Sequence, residues 1–163
     1  MTLKTDRFIM TERTLLIIKP GAVQRGLVGE VISRFEKRGL KIVAMKMARL
    51  DEGILNEHYA HLRDKPFFPW LKNGMMAAPV VLCCLEGCEA VKVVREMAGA
   101  TNARKAAPGT IRGDYSMSAQ ENVVHTSDSV ENAAIELKRF FNEEDYCDYA
   151  SVLDPFKYAP DEM

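Results

Sequence analysis

Arg13-Thr-Leu-Leu-Ile-Ile-Lys19 holds four apolar residues in a row, Leu15 to Ile18, with no polar residue between them. A strand with one face in water alternates apolar and polar side chains; a strand covered on both faces does not. The stretch therefore reads as a central strand, and Pro20 ends it.

Outward from it the chain alternates helix and strand. Gly21 and Gly26 mark an irregular loop, and Leu27 to Arg38 is an amphipathic helix with Val28, Val31, Ile32 and Phe35 on one face. Gly39 is placed as the residue that closes it. Leu40 to Leu50 is a half-exposed second strand. Asp51 opens a helical segment with Leu55, Tyr59 and Leu62 at helical spacing, and Pro66 breaks it before the aromatic stretch Phe67-Phe-Pro-Trp-Leu71. Pro79 to Leu85 reads as a third strand. Glu89 to Ala98 reads as a helix with Val91, Val94, Met97 and Ala98 inward and Arg95 near its end. Thr101 to Tyr115 is loop-like, with a length that usually serves function. Val123 and Val124 read as the last strand. Asp128, three residues before Glu131, fits a capping box, and Val130, Ala133, Ala134, Leu137 and Phe141 recur at helical spacing. Four strands with the connecting helices on one face predict an α+β fold, a ferredoxin-like βαββαβ sandwich built on a four-stranded antiparallel sheet. Residues 1–12 form a leader, 13–141 the domain, and 142–163 an acidic, aromatic tail.

The composition narrows the function classes. The 163 residues carry a net charge of −1, which leaves no electrostatic footprint for nucleic acid. No segment approaches the length of a membrane span, and residues 1–12 lack an apolar run of signal-peptide length. Cys83, Cys84, Cys88 and Cys147 contain no C-x-x-C, so they read as small buried hydrophobes of a reducing compartment, the cytoplasm.

His125 falls between the last strand and the last helix, beside free N–H groups that favour an anion such as phosphate. It is either a polar residue topping a strand or a nucleophile facing a bound phosphate. Glu136, about two turns into the helix, is either a solvated carboxylate or the group that orients the ring. Lys19, Arg95, Thr101, Arg112 and Asn122 also end strands or lie in loops. A lysine, two arginines and a helix N-terminus around a histidine would suit a triphosphate. The chain has no Walker A motif and none of the protein-kinase motifs, so phosphoryl transfer here requires another architecture, such as a histidine that carries the group itself.

The sequence resembles the nucleoside diphosphate kinase family from about Arg13 to Phe141. The strongest pieces are Lys19-Pro20, Val23-Gln-Arg-Gly-Leu-Val-Gly-Glu30, His58-Tyr59, Pro66-Phe-Phe-Pro69, Pro108-Gly-Thr-Ile-Arg-Gly-Asp114 and Asn122-Val-Val-His-Thr-Ser-Asp-Ser129. The resemblance implies ping-pong transfer of the γ-phosphate of ATP, or another NTP donor, to an NDP acceptor through a phosphohistidine. It implies that His125 is the phosphorylated residue, on Nδ1, with Glu136 bonded to the other ring nitrogen. It assigns Lys19, Tyr59, Arg95, Thr101, Arg112 and Asn122 to phosphates and ribose, and Phe67 and Leu71 to the base. It implies Mg²⁺ on the nucleotide phosphates, approached by Asp128 through water. It also implies a homo-oligomer, a hexamer in preference to a tetramer, with no membrane and no specific nucleic acid as partner.

Three positions depart from the family pattern. Gly21 stands where Asp is usual, Thr126 follows the histidine where Gly or Ala is usual, and Ala103 replaces a proline. A regulator that senses nucleotide with the same pocket and a ferredoxin-like RNA-binding module are the rival classes. His125 with Glu136 argues against the first, and the lack of exposed strand aromatics and basic surface against the second.

Overall fold

The computed structural model describes residues 11–159, 161 and 162. Its strands are β1 (Thr11–Ile18), β2 (Lys41–Ala48), β3 (Val80–Cys88) and β4 (Val124–Thr126). The helices are α1 (Pro20–Gln24), α2 (Val28–Arg38), α3 (Glu52–His58), α4 (Phe68–Met76), α5 (Ala90–Ala98), α6 (Ile111–Tyr115), α7 (Val130–Phe140) and α8 (Asp154–Lys157). The sheet order is β2-β3-β1-β4, with β1 antiparallel to both neighbours and β2 antiparallel to β3. This is the expected ferredoxin-like α+β sandwich.

The helices do not lie on one face, as the sequence reading has them. Leu15 and Ile17 pack with Leu55 and Tyr59 of the α3 region, Phe68 and Met75 of α4, and Leu137 and Phe140 of α7. Leu16 and Ile18 pack with Val31 and Phe35 of α2 and with Ala90, Val94 and Ala98 of α5. Successive strand residues point to opposite faces, so β1 is buried twice over. Each such Leu or Ile contributes about 1.5–3 kcal/mol of burial free energy.

Local chemistry sets the ends. Asp51 caps α3 by accepting from the Ile54 N–H at 2.9 Å, and Gly39 closes α2 at φ 105°, a conformation that favours glycine. The cap of α7 is Ser129, whose Oγ accepts from the Asn132 N–H at 3.1 Å, and not Asp128 as expected. Asp128 instead accepts from the Asn132 side chain at 2.6 Å. The Thr101–Tyr115 segment is less loop-like than its composition suggests: it holds a 3₁₀ turn at Ala103–Lys105 and α6, capped by Thr110. A side chain at Gly113 would run into the Ala107 carbonyl, 2.0 Å from the Cβ position.

The tail lies along β2. The Cys147 N–H donates to the Val43 carbonyl at 2.8 Å, Tyr149 donates its hydroxyl proton to the Ile42 carbonyl at 2.8 Å, and Lys46 pairs with Asp145 at 2.7 Å. These contacts fall near the β-bulge between Ile42 and Ala44. The farther half of the same edge leaves Met45 and Met47 exposed. β1 begins at Thr11, inside the stretch assigned to the leader; the rest of that leader lies outside the described residues. Among the described residues no helix is long and apolar enough to cross a membrane.

Candidate active site

His125 lies in β4 itself, opposite Ile17 of β1, and not in the turn that follows. Its Nε2 is 2.8 Å from Glu136 Oε2. Glu136 is the seventh residue of α7, about two turns in, so its carboxylate reaches back over the end of the sheet. Ser127 locks the arrangement: its Oγ donates to Glu136 Oε2 at 3.1 Å and accepts from the Leu15 N–H at 3.3 Å. Ser127 is fully buried. With Nε2 facing the carboxylate, His125 Nδ1 has no hydrogen-bond partner among the described residues.

The residues before the histidine hold a turn that a β-branched side chain rarely adopts. Val123 has φ 72°, and the Val124 N–H donates across it to the Asn122 carbonyl at 2.8 Å. This is a γ-turn, a strained conformation that persists only where its surroundings enforce it. The Lys19 N–H, donating to the Val123 carbonyl at 2.9 Å, is one such constraint. Thr126, by contrast, sits in ordinary strand conformation, so the residue after the histidine needs no glycine here.

Lys19 and Asn122 meet under this turn. Lys19 Nζ donates to Asn122 Oδ1 at 2.6 Å and to the Gln120 carbonyl at 3.1 Å. Asn122 Nδ2 donates to the Thr101 and Ala119 carbonyls, both at 2.9 Å. Both amide protons are thus engaged, and Asn122 acts on the pocket mainly by placing Lys19. Burial first, then Arg112, pulls the Lys19 ammonium down to about 8 against the opposing pull of Glu121.

Arg112 is buried and ties three chain segments together, donating to the carbonyls of Asn122, Gly99 and Val124 at 3.2, 2.8 and 2.7 Å. A guanidinium has five N–H donors, so each terminal nitrogen keeps one for a ligand. Burial, with Arg95 beside it, brings its group down to about 10; it is still a cation at neutral pH. Tyr59 is buried, and burial with Glu136 nearby raises its phenol, which keeps the hydroxyl a donor.

These groups line one cavity of about 640 Å³. Lys19, Tyr59, Phe67, Leu71, Arg95, Thr101, Arg112, Asn122, His125, Asp128 and Glu136 all border it, so every candidate site residue from the sequence converges there. Phe67 and Leu71 form its apolar end, with Phe67 exposed enough to accept a flat ring on its face. His58 is the participant that sequence reasoning names only as part of a motif. It is buried, with its ring centroid 4.5 Å from that of His125. Burial, then His125 and Arg139, push its imidazole down to about 2, so it is neutral. Nothing in the sequence around it distinguishes it from a core residue.

A cationic pocket with a flat apolar end and a carboxylate-held histidine, on a sheet covered on both faces, belongs to an enzyme of phosphoryl transfer and not to an open-sheet RNA-binding module. The family model described as nucleoside diphosphate kinase matches residues 12–146. The chain belongs to the nucleoside diphosphate kinase family. It is 58% identical over 152 residues to a nucleoside diphosphate kinase of Parabacteroides distasonis, covering 93% of this chain and 99% of that one. A Pyrococcus horikoshii relative of the same name is 53% identical over 149 residues, 90% of this chain and 95% of its own. Among solved structures, a halophilic nucleoside diphosphate kinase from Halobacterium salinarum in complex with CDP superposes with a TM-score of 0.89 at 41% identity, over 91% of this chain and 99% of that one.

Proposed function

We propose that His125 Nδ1 is the atom that takes the phosphoryl group as the chain transfers γ-phosphate from an NTP to an NDP. The observation that carries this is the Nε2–Glu136 contact at 2.8 Å, which leaves Nδ1 as the nitrogen without a partner. Glu136 accepts the Nε2 proton, so the lone pair stands on Nδ1. In the first half-reaction that pair attacks the γ-phosphorus, an N–P bond forms, the bond to the bridging oxygen breaks, and the NDP leaves. The ring becomes a cation, and the Glu136 carboxylate stabilises it. A terminal β-phosphate oxygen of the acceptor NDP then attacks the same phosphorus and frees the histidine. One site serves donor and acceptor in turn.

The other assignments follow the pocket. Lys19, Arg112 and Arg95 neutralise phosphate charge, Asn122 holds Lys19, and Thr101 with the Tyr59 hydroxyl adds polar contacts. Phe67 and Leu71 cover the base. Stacking without reading the base edge tolerates any base. Mg²⁺ is the cation that fits. Asp128 is an exposed carboxylate already bonded to Asn132, too sparse for a protein cage but suited to an ion that keeps its waters. Bound on the nucleotide phosphates, Mg²⁺ supplies charge neutralisation for the transfer.

We further assign the chain to the cytoplasm, supported by four free thiols. The catalytic domain spans 13–141 and extends to Thr11 and Glu12, which pair in the sheet, and the segment from 142 is a tail that braces β2. Self-association fits the exposed Met45 and Met47 on that edge strand, and the hexamer over the tetramer rests on the resemblance. The test of function is incubation with γ-labelled ATP. An acid-labile, base-stable phosphoprotein is expected, absent in His125→Ala. Transfer to dTDP above background in that folded variant would refute the assignment.

A further inference from the structure

The histidine assigned as nucleophile has a second metal-ligating neighbour besides Glu136. A ring nitrogen of His58, a ring nitrogen of His125 and a carboxylate oxygen of Glu136 lie within 4.8 Å of one another. Two imidazoles and one carboxylate form a donor set that zinc takes at open sites, where a fourth position is left to water or substrate. We propose that this cluster captures Zn²⁺, and that the loaded protein cannot accept a phosphoryl group because the metal holds the nucleophile. The second half of the proposal rests on His125 being that nucleophile.

The geometry is close to what the ion needs. Ligands at about 2.1 Å in a tetrahedron stand about 3.4 Å apart. His125 Nε2 and Glu136 Oε2, now 2.8 Å apart around a shared proton, need to open only slightly when a metal replaces that proton. His58 closes in from its place beside His125, where burial limits its movement. Its Nε2 is a buried polar atom with no hydrogen-bond partner, an arrangement that calls for an explanation. Support from behind is present as well: Ser127 Oγ donates to Glu136 Oε2 at 3.1 Å, the kind of outer contact that orients metal ligands.

Arg139 is the opposing group. Its Nη1 donates to His58 Nδ1 at 3.1 Å, which puts the ring proton on Nε2. Coordination through Nε2 moves that proton to Nδ1 and displaces the Arg139 contact. The guanidinium keeps its other partner, Glu57, at 2.9 Å, so its charge stays compensated.

Two metals would then divide the pocket by chemistry. Mg²⁺ prefers oxygen and keeps its waters, so it follows the phosphates. Imidazole suits zinc, so Zn²⁺ goes to the histidines. On Nδ1 it takes the attacking lone pair. On Nε2 it replaces the Glu136 hydrogen bond, and the displaced ring proton moves to Nδ1, where it occupies the attacking lone pair.

The experiment reads metal and phosphate separately. Zn²⁺ is titrated against a chromophoric chelator without nucleotide, for the wild type, His58→Gln, Glu136→Gln and Cys147→Ser. Cys147 is the exposed thiol and controls for cysteine capture. His58→Gln keeps an oxygen that can accept from Arg139, and circular dichroism checks each fold. One Zn²⁺ per chain is expected, bound at least about tenfold more weakly by both cluster variants and unchanged in Cys147→Ser. Equal affinity in the wild type and the two cluster variants overturns the site. Phosphoenzyme formation is then measured with MgATP in excess. Zinc at saturation should slow it at least about tenfold, and the chelator should restore it. Cluster-dependent binding with an unchanged phosphorylation rate overturns the blockade while the metal site stands. A protein that forms no phosphohistidine before zinc is added counts against the assigned activity and leaves the binding result intact.

Discussion

Glu136→Gln separates orientation of the nucleophile from binding of the nucleotide. The amide keeps the shape of the carboxylate and an oxygen able to accept from His125 Nε2 and Ser127 Oγ, and it removes the charge. In the resting site the carboxylate lies 2.8 Å from the ring Nε2; during attack it faces a ring that is becoming a cation. Opposite unit charges about 4 Å apart interact by about 4 kcal/mol at an effective dielectric constant of about 20. With roughly half of the ring charge developed at the transition state, the variant loses about 2 kcal/mol there, a factor of about 30 in rate. Nucleotide affinity should hardly change, because Glu136 lies behind the ring. Rapid quench with γ-labelled ATP measures phosphoenzyme formation, and equilibrium binding of ADP measures affinity. Equal losses in both would mean that Glu136 supports the pocket and not the nucleophile. An unchanged rate would mean that the ring carries little charge at the transition state.

Phe67→Ala should weaken all nucleotides alike, by about 1–3 kcal/mol, and a loss confined to one base in a binding series would contradict stacking without readout. The Lys19 ammonium, lowered to about 8 by burial, loses its proton at a lower pH in the folded than in the unfolded chain. Between that value and the ordinary lysine range the unfolded chain holds more protons, so stability contributed by this group rises with pH, while nucleotide affinity falls through about pH 8. A flat affinity profile from pH 7 to 9.5, measured by calorimetry, would remove Lys19 from phosphate binding. Gly21→Asp brings a second carboxylate to a Cβ position 2.8 Å from Glu121 Oε2. It should lower the melting temperature, and Glu121→Gln should restore much of it, with a coupling of about 0.5–3 kcal/mol for neighbours in contact; additive effects in a double-mutant cycle would exclude the clash. A proline at position 103 normally stabilises a compatible loop by about 0.4–1 kcal/mol, but the Ala103 N–H donates to the Ser118 carbonyl at 3.2 Å. Ala103→Pro loses that bond, so no gain in urea midpoint is expected, and a clear gain would show that the contact contributes little.

Much of the fold is legible because hydrophobic pattern carries it. The Leu15–Ile18 run already demands cover on both faces; placing the helices on one face neglects that demand. The boundary of α7 is ambiguous in sequence because Asp128 and Ser129 are both good caps. Glu131 follows the first by three residues and Asn132 the second, and only the backbone angles of Ser129 decide between them. The γ-turn at Val123 is illegible, since a valine between Asn and Val reads as strand. The site divides similarly. Lys19 and His125 are found because their chemistry is unusual at a strand end and in a turn, Arg95 and Arg112 are unremarkable one by one and read equally well as surface cations, and Tyr59, Phe67, Leu71 and the metal role of Asp128 enter only through resemblance. Ser127 and His58 stay hidden because their roles depend on contacts with Leu15, Glu136 and Arg139, brought near only by the sheet and α7.

The pairing of Ile17 with His125 also sets an order of assembly. β1 leaves the ribosome well before its partner β4, with two strands and six helices between them. Until β4 arrives, the apolar Leu16–Ile18 end of β1 has no hydrogen-bonding neighbour on that edge. Joining strands so far apart in sequence slows folding, and an uncovered edge invites pairing with another chain. A nascent or truncated chain that stops before β4 therefore lacks the histidine proposed to accept the phosphoryl group and also exposes an adhesive strand. Competence for chemistry and protection from aggregation arrive in the same few residues.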